Sequence, residues 1–245
     1  MDIALYLTFF ISCIVAAAIQ RSCGFGFGVF LFSILSCLMP NVGEATAIIG
    51  MVAGSQQLCI AARMHRHIRW RMVIVLGLAS ALSTTVAVEL LARMHNSDYL
   101  KPVIGVVLIG VSVYFWFFAH RINIRATTRN GILAGTVSGL MGGFFSMQGP
   151  PAVLYFISAI KDKQQYMASA QAYFCLANVM ATCLRVHTGF VTPQVLHFWW
   201  IGCIAALIGI WIGMIIFDKI SAQTLRKIVY AFIGLCGVAA ITTSL

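Results

Sequence analysis

Two glycine-rich stretches decide how this chain folds. Residues 138–151 read SGLMGGFFSMQGPP, and residues 24–28 read GFGFG. Each stretch interrupts a long apolar run, at a point where glycine lets the backbone bend and proline suits the first turn of a new helix. We therefore expect two interrupted helices inside an otherwise regular helical protein.

The composition around these stretches is that of a membrane protein. Of the 245 residues, 61% are hydrophobic and 9% are charged, and the mean hydropathy is +0.95, which lies outside the range of soluble domains. The 16 lysines and arginines outnumber the 6 acidic residues, but most of these cations lie between apolar runs, as the positive-inside rule expects. This distribution argues against a nucleic-acid partner. We predict an integral, multi-pass protein of the bacterial inner membrane, surrounded by lipid.

Ten hydrophobic segments follow one another, five in each half of the chain. Eight have spanning or near-spanning length, for which a helix needs about 20 residues. The segments at 24–39 and 150–160 are short and open with Gly or Gly-Pro. We predict an all-α polytopic membrane protein with about eight transmembrane helices and two short half-helices. The ten segments are residues 3–19, 24–39, 45–62, 70–91, 100–119, 131–147, 150–160, 168–184, 195–217 and 225–243.

The two halves resemble each other weakly but in the same order. Residues 24–28 match 139–143, and Arg63-Met64-His65 matches Arg185-Val186-His187. Internal duplication is typical of secondary transporters, so we predict two transmembrane repeats. The predicted domains are a first repeat at 1–119, a basic cytoplasmic linker at 120–130 and a second repeat at 131–245.

The basic loops indicate that the second repeat is inverted. Residues 63–71 form the most basic loop and residues 120–129 are also basic, and two helices separate them, so both can be cytoplasmic. The counterpart of the first loop, 186–194, has no lysine or arginine. We therefore expect 41–44 and 186–194 outside and 161–163 inside, with both chain termini outside.

The two interruptions mark the expected binding site. Inside hydrocarbon, a backbone break is tolerated only where protein or a water-filled cavity satisfies its polar groups. A helix that begins there directs N–H groups and a partial positive charge into the protein, which suits an anion. A single cluster such as Gly24-x-x-x-Gly28 also fits close helix packing. Two clusters, each ahead of a short segment, favour the binding site.

Polar residues inside apolar segments complete the predicted site, because each is costly in a bilayer unless it faces the protein interior. Arg21 is either a counter-charge for an oxyanion or a basic flank of the first helix. We expect Arg185 to reach the surface, with gating as the alternative, and Glu89 to pair with Arg93. The predicted substrate-binding residues are Arg21, Ser22, Gly24, Gly26, Gly28, Gln57, Gly142, Gly143, Ser146, Gln148, Gly149, Pro150, Gln171 and Asn178.

The sequence offers little for an enzyme or a metal site. It carries no G-x-S-x-G, H-E-x-x-H or P-loop motif. Its eight cysteines lie in or beside apolar segments, and no two are spaced as C-x-x-C, which argues against a zinc site or a disulfide framework. We expect no enzymatic activity, no metal and no cofactor.

At these motifs the chain resembles the TauE/SafE sulfite exporter family, also called TSUP. The first repeat carries the family's Gly-rich stretch at 23–28, and the second carries SGLMGG at 138–143 followed by GPPAVLY at 149–155. The resemblance covers essentially the whole chain and implies export of sulfite, an organosulfonate or another small sulfur-containing or organic anion. Arg21 stands where related first repeats often have glycine, which leaves the substrate open.

Together these features predict a secondary transporter of small anions, with a site between 24–28 and 142–151 and alternating access between the two repeats. The coupling would come from an ion gradient, with protons preferred to sodium, or from the substrate's own gradient. The alternatives are an anion channel and a membrane assembly protein without transport activity. Whether the protein is a monomer or a homodimer is left open.

Single cysteines at Val191 and Asn123, in a background without the eight native cysteines, test the predicted inversion. A membrane-impermeant maleimide should label Val191→Cys in intact cells and Asn123→Cys only after permeabilisation. Labelling of both positions from the same side would contradict the inverted arrangement.

Overall fold

The computed structural model of the protein describes residues 3–94, 100–117 and 127–216, and these residues are organised as helices joined by short connections. Nine of the ten predicted segments coincide with described helices to within a few residues, and the tenth, 225–243, lies outside the described residues. The helices are α1 (Ile3–Cys23), α2 (Phe27–Leu38), α3 (Val42–Arg63), α4 (Trp70–Met94), α5 (Leu100–Phe117), α6 (Thr128–Phe145), α7 (Gly149–Ala159), α8 (Lys163–His187) and α9 (Pro193–Ile216), with a short 3-10 turn at His65–His67.

Five of the described helices contain a stretch long and apolar enough to cross a bilayer. These stretches are Ile3–Arg21, Val42–Arg63, Trp70–Met94, Lys163–His187 and Pro193–Gly213. The protein is therefore an integral, multi-pass membrane protein with an all-helical described part. The count of about eight spans and the domain boundaries at 119 and 131 stay predictions.

Helices α2 and α7 are too short to span a bilayer. They have 12 and 11 residues, which at 1.5 Å per residue gives about 18 and 16 Å against a hydrocarbon core of about 30 Å. Gly26 precedes α2 with a φ of 113°, a left-handed conformation that favours glycine. Prolines occupy the first turn of α7, where a missing N–H costs nothing. The predicted half-helices are thus present as short helices.

The long helices α3 and α8 pack against each other in opposite directions. Going along α3, Gly43 lies against Phe190, Gly50 against Arg185, and Gln57 bonds Asn178. Beyond the end of α3, Arg69 Nε donates to Gln165 Oε1 at 2.7 Å. Partner numbers on α8 fall as those on α3 rise, so the two helices are antiparallel. Residues 41–44 and 188–192 therefore share one end of the pair, and residues 63–69 and 161–165 share the other.

Two other close pairs join helices from different halves of the chain. Helix α1 runs parallel to α9, since Phe9 lies against Gly202 and Ala17 against Gly209. Helix α4 runs parallel to α6, with Leu76 at Gly135 and Ser80 at Gly139. The larger contacts keep the same pattern if α1 is exchanged with α6, α2 with α7, α3 with α8 and α4 with α9, whereas the smaller α6–α8 and α2–α6 contacts have no counterpart of similar size. The neighbours α1–α2 and α6–α7 obey the same exchange.

These contacts divide eight of the described helices into two groups. We call α1, α2, α3 and α9 the first bundle, and α4, α6, α7 and α8 the second bundle. Each bundle contains one long helix from the other half of the chain, because α4 packs on α6 and α8, and α9 on α1 and α3. The α3–α8 pair forms the main contact between the bundles.

Glycines on one face of α6 set its distance from α4. Gly131, Gly135, Gly139 and Gly143 recur every four residues, and a Cβ on Gly135 would lie 2.7 Å from the Leu76 carbonyl oxygen. Small residues of this kind let two membrane helices approach until their backbones touch. The stretch 139–143 is therefore continuous helix with a packing role. The break that matches residues 24–26 lies later, at 146–148, so the match made from sequence was displaced by several residues.

Replacing Gly139 tests this packing. A Cβ there would overlap the Ser80 carbonyl oxygen and Ser83 Oγ on α4, so Gly139→Ala should destabilise the protein by about 1–3 kcal/mol through overpacking. The matched control is Gly77→Ala on α4, because no atom lies within 4 Å of a Cβ at Gly77. Thermal unfolding in detergent should separate the two variants. Equal melting temperatures would show that the α4–α6 contact is looser than described.

Candidate functional site

The candidate site lies where the two helix breaks meet. The chain leaves α1 through residues 24–26 and leaves α6 through residues 146–148 before each short helix begins. A Cβ on Gly28 would overlap the carbonyl oxygen of Ser146, so the two breaks are in direct backbone contact. Ser146 itself has a left-handed backbone, with a φ of 54°. The two stretches quoted from the sequence therefore form one structural centre.

Buried side chains satisfy the backbone groups that the breaks expose. Gln171 Nε2 donates to the Gly24 carbonyl at 2.9 Å, and Ser138 Oγ donates to the Gln148 carbonyl. Ser146 Oγ donates to the Thr46 carbonyl of α3 at 2.8 Å. Such partners are what non-helical backbone needs at membrane depth.

Buried amides from three helices surround the breaks. Gln20 of α1 donates through Nε2 to Gln171 Oε1 at 3.2 Å, and Asn178 Nδ2 donates to Gln57 Oε1 of α3 at 2.8 Å. A 180° turn of the Gln57 amide brings its nitrogen to the carbonyls of Ala53 and Phe174, and its oxygen to Gln20 Nε2 at 3.3 Å. Each of the four amide side chains is more than nine-tenths buried. They link the two bundles through hydrogen bonds that can be rearranged by turning amides.

A small pocket opens between these groups. Polar and apolar residues both line it, and both bundles contribute. Its lining residues are Gln20, Phe25, Gly26, Gly28, Val29, Ala53, Gln57, Ser146, Met147, Gln148, Gly149, Phe174 and Asn178.

The two short helices differ in what their N-termini offer to this pocket. No side chain caps the N-terminus of either α2 or α7. The first turn of α2 includes the N–H groups of Phe27, Gly28 and Val29. In α7, Pro150 and Pro151 follow Gly149, and proline has no N–H. The expectation of two equivalent anion-binding N-termini therefore applies better to α2 than to α7.

The structure brings together half of the fourteen sequence-predicted residues as pocket lining. These are Gly26, Gly28, Gln57, Ser146, Gln148, Gly149 and Asn178. Gln171 and Gly24 stand next to the pocket through their mutual hydrogen bond, and Pro150 is buried in the first turn of α7. Gly142 and Gly143 lie within α6. Ser22 is in the last turn of α1, and its side chain lies outside what the structure describes.

The structure exposes one of the two arginines considered from the sequence and buries the other. Arg21 is exposed in the last turn of α1, with its Cβ facing Gly213 of α9. Arg185 was expected at the surface, and this is wrong: its exposed fraction is 0%. Its Nη2 donates to the carbonyls of Gly142 and Gly143 in the last turn of α6, at 2.9 and 3.1 Å, where the Ser146 N–H also bonds the Gly142 carbonyl.

Sequence reasoning missed Arg185 at the site, although its spacing from the predicted Gln171 and Asn178 could have indicated it. Gln171, Asn178 and Arg185 are spaced by seven residues, which places them along one face of α8 because seven residues make nearly two helical turns. The aromatic lining from Phe25 and Phe174 carries no comparable signal, since apolar residues fill every segment. The expected ion pair between Glu89 and Arg93 is confirmed at 3.3 Å, on an exposed part of α4 away from the pocket.

Comparison with known proteins identifies the family. The model of the sulfite exporter TauE/SafE family matches residues 9–240. The chain belongs to the TauE/SafE family. One relative is the "Probable sulfite/organosulfonate exporter TauE" of Cupriavidus necator, 24% identical over 140 residues, which is 56% of this chain and 55% of that protein. The chain thus spans about half the length of the curated relative it matches, and no solved structure matches it.

Membership of an exporter family supports the predictions of a membrane transporter and of a protein that is not an enzyme. Of the motifs that carry the resemblance, 23–28 contains the first break, 138–143 lies within α6, and 149–155 follows the second break. Within the described ranges, no group of three or more His, Cys, Asp or Glu residues could hold a metal ion. The chemistry available at the pocket is therefore that of amides, hydroxyls, backbone N–H groups and one nearby guanidinium.

Gly28→Ala tests the contact between the two breaks of this TauE/SafE protein. The added methyl must displace the Ser146 backbone, so we expect a loss of about 3 kcal/mol or more in stability, or failure to fold. Gly149→Ala is the matched control, because its Cβ would meet Phe25 at an ordinary 3.4 Å. Yield of monodisperse protein and its melting temperature measure both. A Gly28→Ala protein as stable as the control would contradict the contact.

Proposed function

We propose that the protein is a secondary transporter that exports small sulfur-containing or organic anions, with sulfite and organosulfonates as the leading substrates. The observation that carries the proposal is the buried pocket between the two bundles, where both helix breaks meet four buried amides. Membership of the TauE/SafE family and the printed name of the Cupriavidus relative support the substrate class.

The pocket suits a small oxyanion by its chemistry. Amide N–H groups and the N-terminus of α2 donate hydrogen bonds, and an oxyanion accepts several at once. The described carboxylates, Glu44, Glu89 and Asp162, are not among the lining residues. Within the described part of the chain, no acidic side chain therefore faces the anion.

The size of the pocket implies movement during transport. At its centre there is room for little more than one water molecule, whereas sulfite has four heavy atoms. The substrate enters only when the surrounding helices separate. This form of the protein is therefore a closed one in the proposed cycle.

Inverted repeats supply the route for that movement. The antiparallel α3–α8 pair and the contact pattern that survives exchange of α1–α4 with α6–α9 support an internal two-fold relation. Close glycine packing ties α4 to α6 and α9 to α1. We therefore place the moving boundary between the two bundles, along α3 and α8, and not between the two halves of the sequence. Alternating access then means rocking of one bundle against the other. Proton coupling and the oligomeric state stay predictions.

Counterflow in proteoliposomes tests this function. Vesicles loaded with unlabelled sulfite or methanesulfonate should take up the labelled anion transiently and saturably. Asn178→Asp keeps the size of the side chain but places a carboxylic acid in the pocket, so the rate should fall at least tenfold. Gln164→Glu makes an amide-to-acid change at an exposed residue and should leave the rate within about twofold.

Two results would count against the proposal. Uptake that rises linearly with concentration and shows no counterflow would indicate a channel. Wild-type vesicles that move none of the anions, although the protein is monodisperse, would leave a membrane assembly role as the better explanation.

A further inference from the structure

Arg185 is a buried cation whose charge the described residues leave largely unbalanced. Its Nη2 bonds the Gly142 and Gly143 carbonyls. Its other nitrogens, Nε and Nη1, carry three of the five guanidinium N–H groups and have no partner among the described residues. Among the described residues, the ion pair is that of Glu89 with Arg93. No described carboxylate lies within ion-pair distance of Arg185.

Arg185 has more hydrogen-bond donors than the carbonyls at the end of α6 require. The C-terminus of a helix attracts a cation, and two N–H groups already serve its carbonyls. A fully buried guanidinium with donors left over is costly, because burial removes water that nothing replaces. Such a side chain persists where a partner arrives from outside the chain, and the partner for a guanidinium is an anion.

The free end of Arg185 lies against Gly50 of α3, beside the pocket. A Cβ on Gly50 of α3 would lie 2.8 Å from Nη1, 3.5 Å from Asn178 Oδ1 and 3.7 Å from Ser146 Oγ. These three polar groups therefore converge on the place where Gly50 lacks a side chain, which we call the gap. In this closed form the gap is too narrow for a methyl group, so an anion reaches it only when the two bundles separate. Asn178 and Ser146 also line the pocket, so the gap adjoins it.

The amide of Asn178 can face this gap with its NH₂ group. Gln57 finds additional acceptors when its amide is turned, at the carbonyls of Ala53 and Phe174. The turned Gln57 nitrogen then faces Asn178, so the Asn178 amide must turn as well and accept this hydrogen bond with its oxygen. The Asn178 NH₂ group then turns away from Gln57 and towards Arg185. Arginine and amide donors would then converge beside Gly50.

Of the two arginines that were matched between the halves of the chain, only Arg185 is buried. Arg63 was matched with Arg185 in the comparison of the two halves, and it ends α3 as Arg185 nearly ends α8. Arg63 is exposed, whereas Arg185 is completely buried. If both arginines served only to flank a membrane helix, both would be exposed, and the burial of Arg185 would have no reason.

We propose that Arg185, and not Arg21, is the fixed positive charge that binds the transported oxyanion, with Nη1, Asn178 and Ser146 around the gap at Gly50. This inference rests on the anion-transport function proposed above. It predicts preference for an anion over a neutral molecule of the same shape, so methanesulfonate should bind and dimethyl sulfone should not.

The test measures binding of sulfite and methanesulfonate to purified protein by calorimetry, together with the melting temperature. Arg185→Gln should weaken binding by about 10- to 100-fold, the usual effect of losing a charge-assisted hydrogen bond. Arg63→Gln is the control at the matched position and should change the dissociation constant by less than about twofold. Arg185→Lys keeps the charge and should retain an intermediate affinity. Arg21→Gln, measured in parallel, tests the rival arginine.

A second pair of variants keeps the inference testable if Arg185→Gln does not fold. Gly50→Ala keeps the arginine but puts a methyl group 2.8 Å from the present position of Nη1, so it closes the gap and should weaken anion binding about tenfold or more. Gly54→Ala is its control one turn along α3, where a Cβ meets only Asn178 Cβ at 3.4 Å.

The outcomes separate this inference from the proposed function. Full affinity in folded Arg185→Gln or Gly50→Ala would overturn the role of Arg185 and leave anion transport standing. Loss of binding in Arg21→Gln alone would transfer the role to Arg21. A wild-type protein that binds neither anion and shows no counterflow would overturn the proposed function itself.

Discussion

The structure depends on one constraint, which is that backbone polar groups inside a membrane need partners. Two chain breaks lie where regular helix would otherwise continue, and they touch each other at Gly28 and Ser146. Buried polar side chains serve two of their carbonyls, with Gln171 at Gly24 and Ser138 at Gln148, and the Phe30 N–H serves the Gly26 carbonyl. Since lipid offers no substitute, these polar residues are structurally necessary as well as suitable for binding. The same requirement gathers the polar side chains that make the pocket.

Glycine packing explains why the two bundles behave as units. In a bilayer, helices gain little from hiding apolar surface, so close van der Waals contact holds them together. Gly135 and Gly139 on α6 provide such contact for α4, and Gly209 provides it for α1 against α9. By contrast, α3 and α8 meet through Gln57 and Asn178, whose amides can change partners by turning. The backbone-to-backbone contacts of the long helices therefore lie within the bundles. Between the bundles, α3 and α8 meet through side chains, and the backbones touch at Gly28 and Ser146.

The sequence predicted the helices better than their partners. Hydropathy and the Gly and Pro positions located nine segments and both breaks, because these signals are local. The pairing of helices is not local. Helices α4 and α9 each pack against helices of the other half of the chain, and nothing in the sequence of either segment indicates which helix it contacts. For the same reason Gly139–Gly143 was matched with the first break, although its glycines serve packing against α4. The sequence of a glycine cluster does not show whether its glycines allow close contact with another helix or a bend of the backbone.

The depth of a side chain in the membrane protein is the other property that sequence leaves undecided, as Arg21 and Arg185 show. Arg21 and Arg185 both stand near the end of an apolar segment, where a long side chain normally reaches water. Only the fold distinguishes them, since the carbonyls of Gly142 and Gly143 at the end of α6 hold Arg185 inside. The seven-residue spacing with Gln171 and Asn178 was the available clue, because it puts Arg185 on the buried face of α8.

The way Arg185 is held also bears on turnover. A transporter has to release what it binds, so a bare buried cation would hold an anion too firmly. The Gly142 and Gly143 carbonyls take up both donors of Nη2, and the negative end of the α6 dipole lowers the local positive potential. An oxyanion at Nη1 would then meet a guanidinium that is already partly compensated. Because those carbonyls belong to α6 while Gly50 belongs to α3, separation of the two bundles would take the cation away from one wall of its gap. Binding strength and bundle movement would thus be coupled at one side chain.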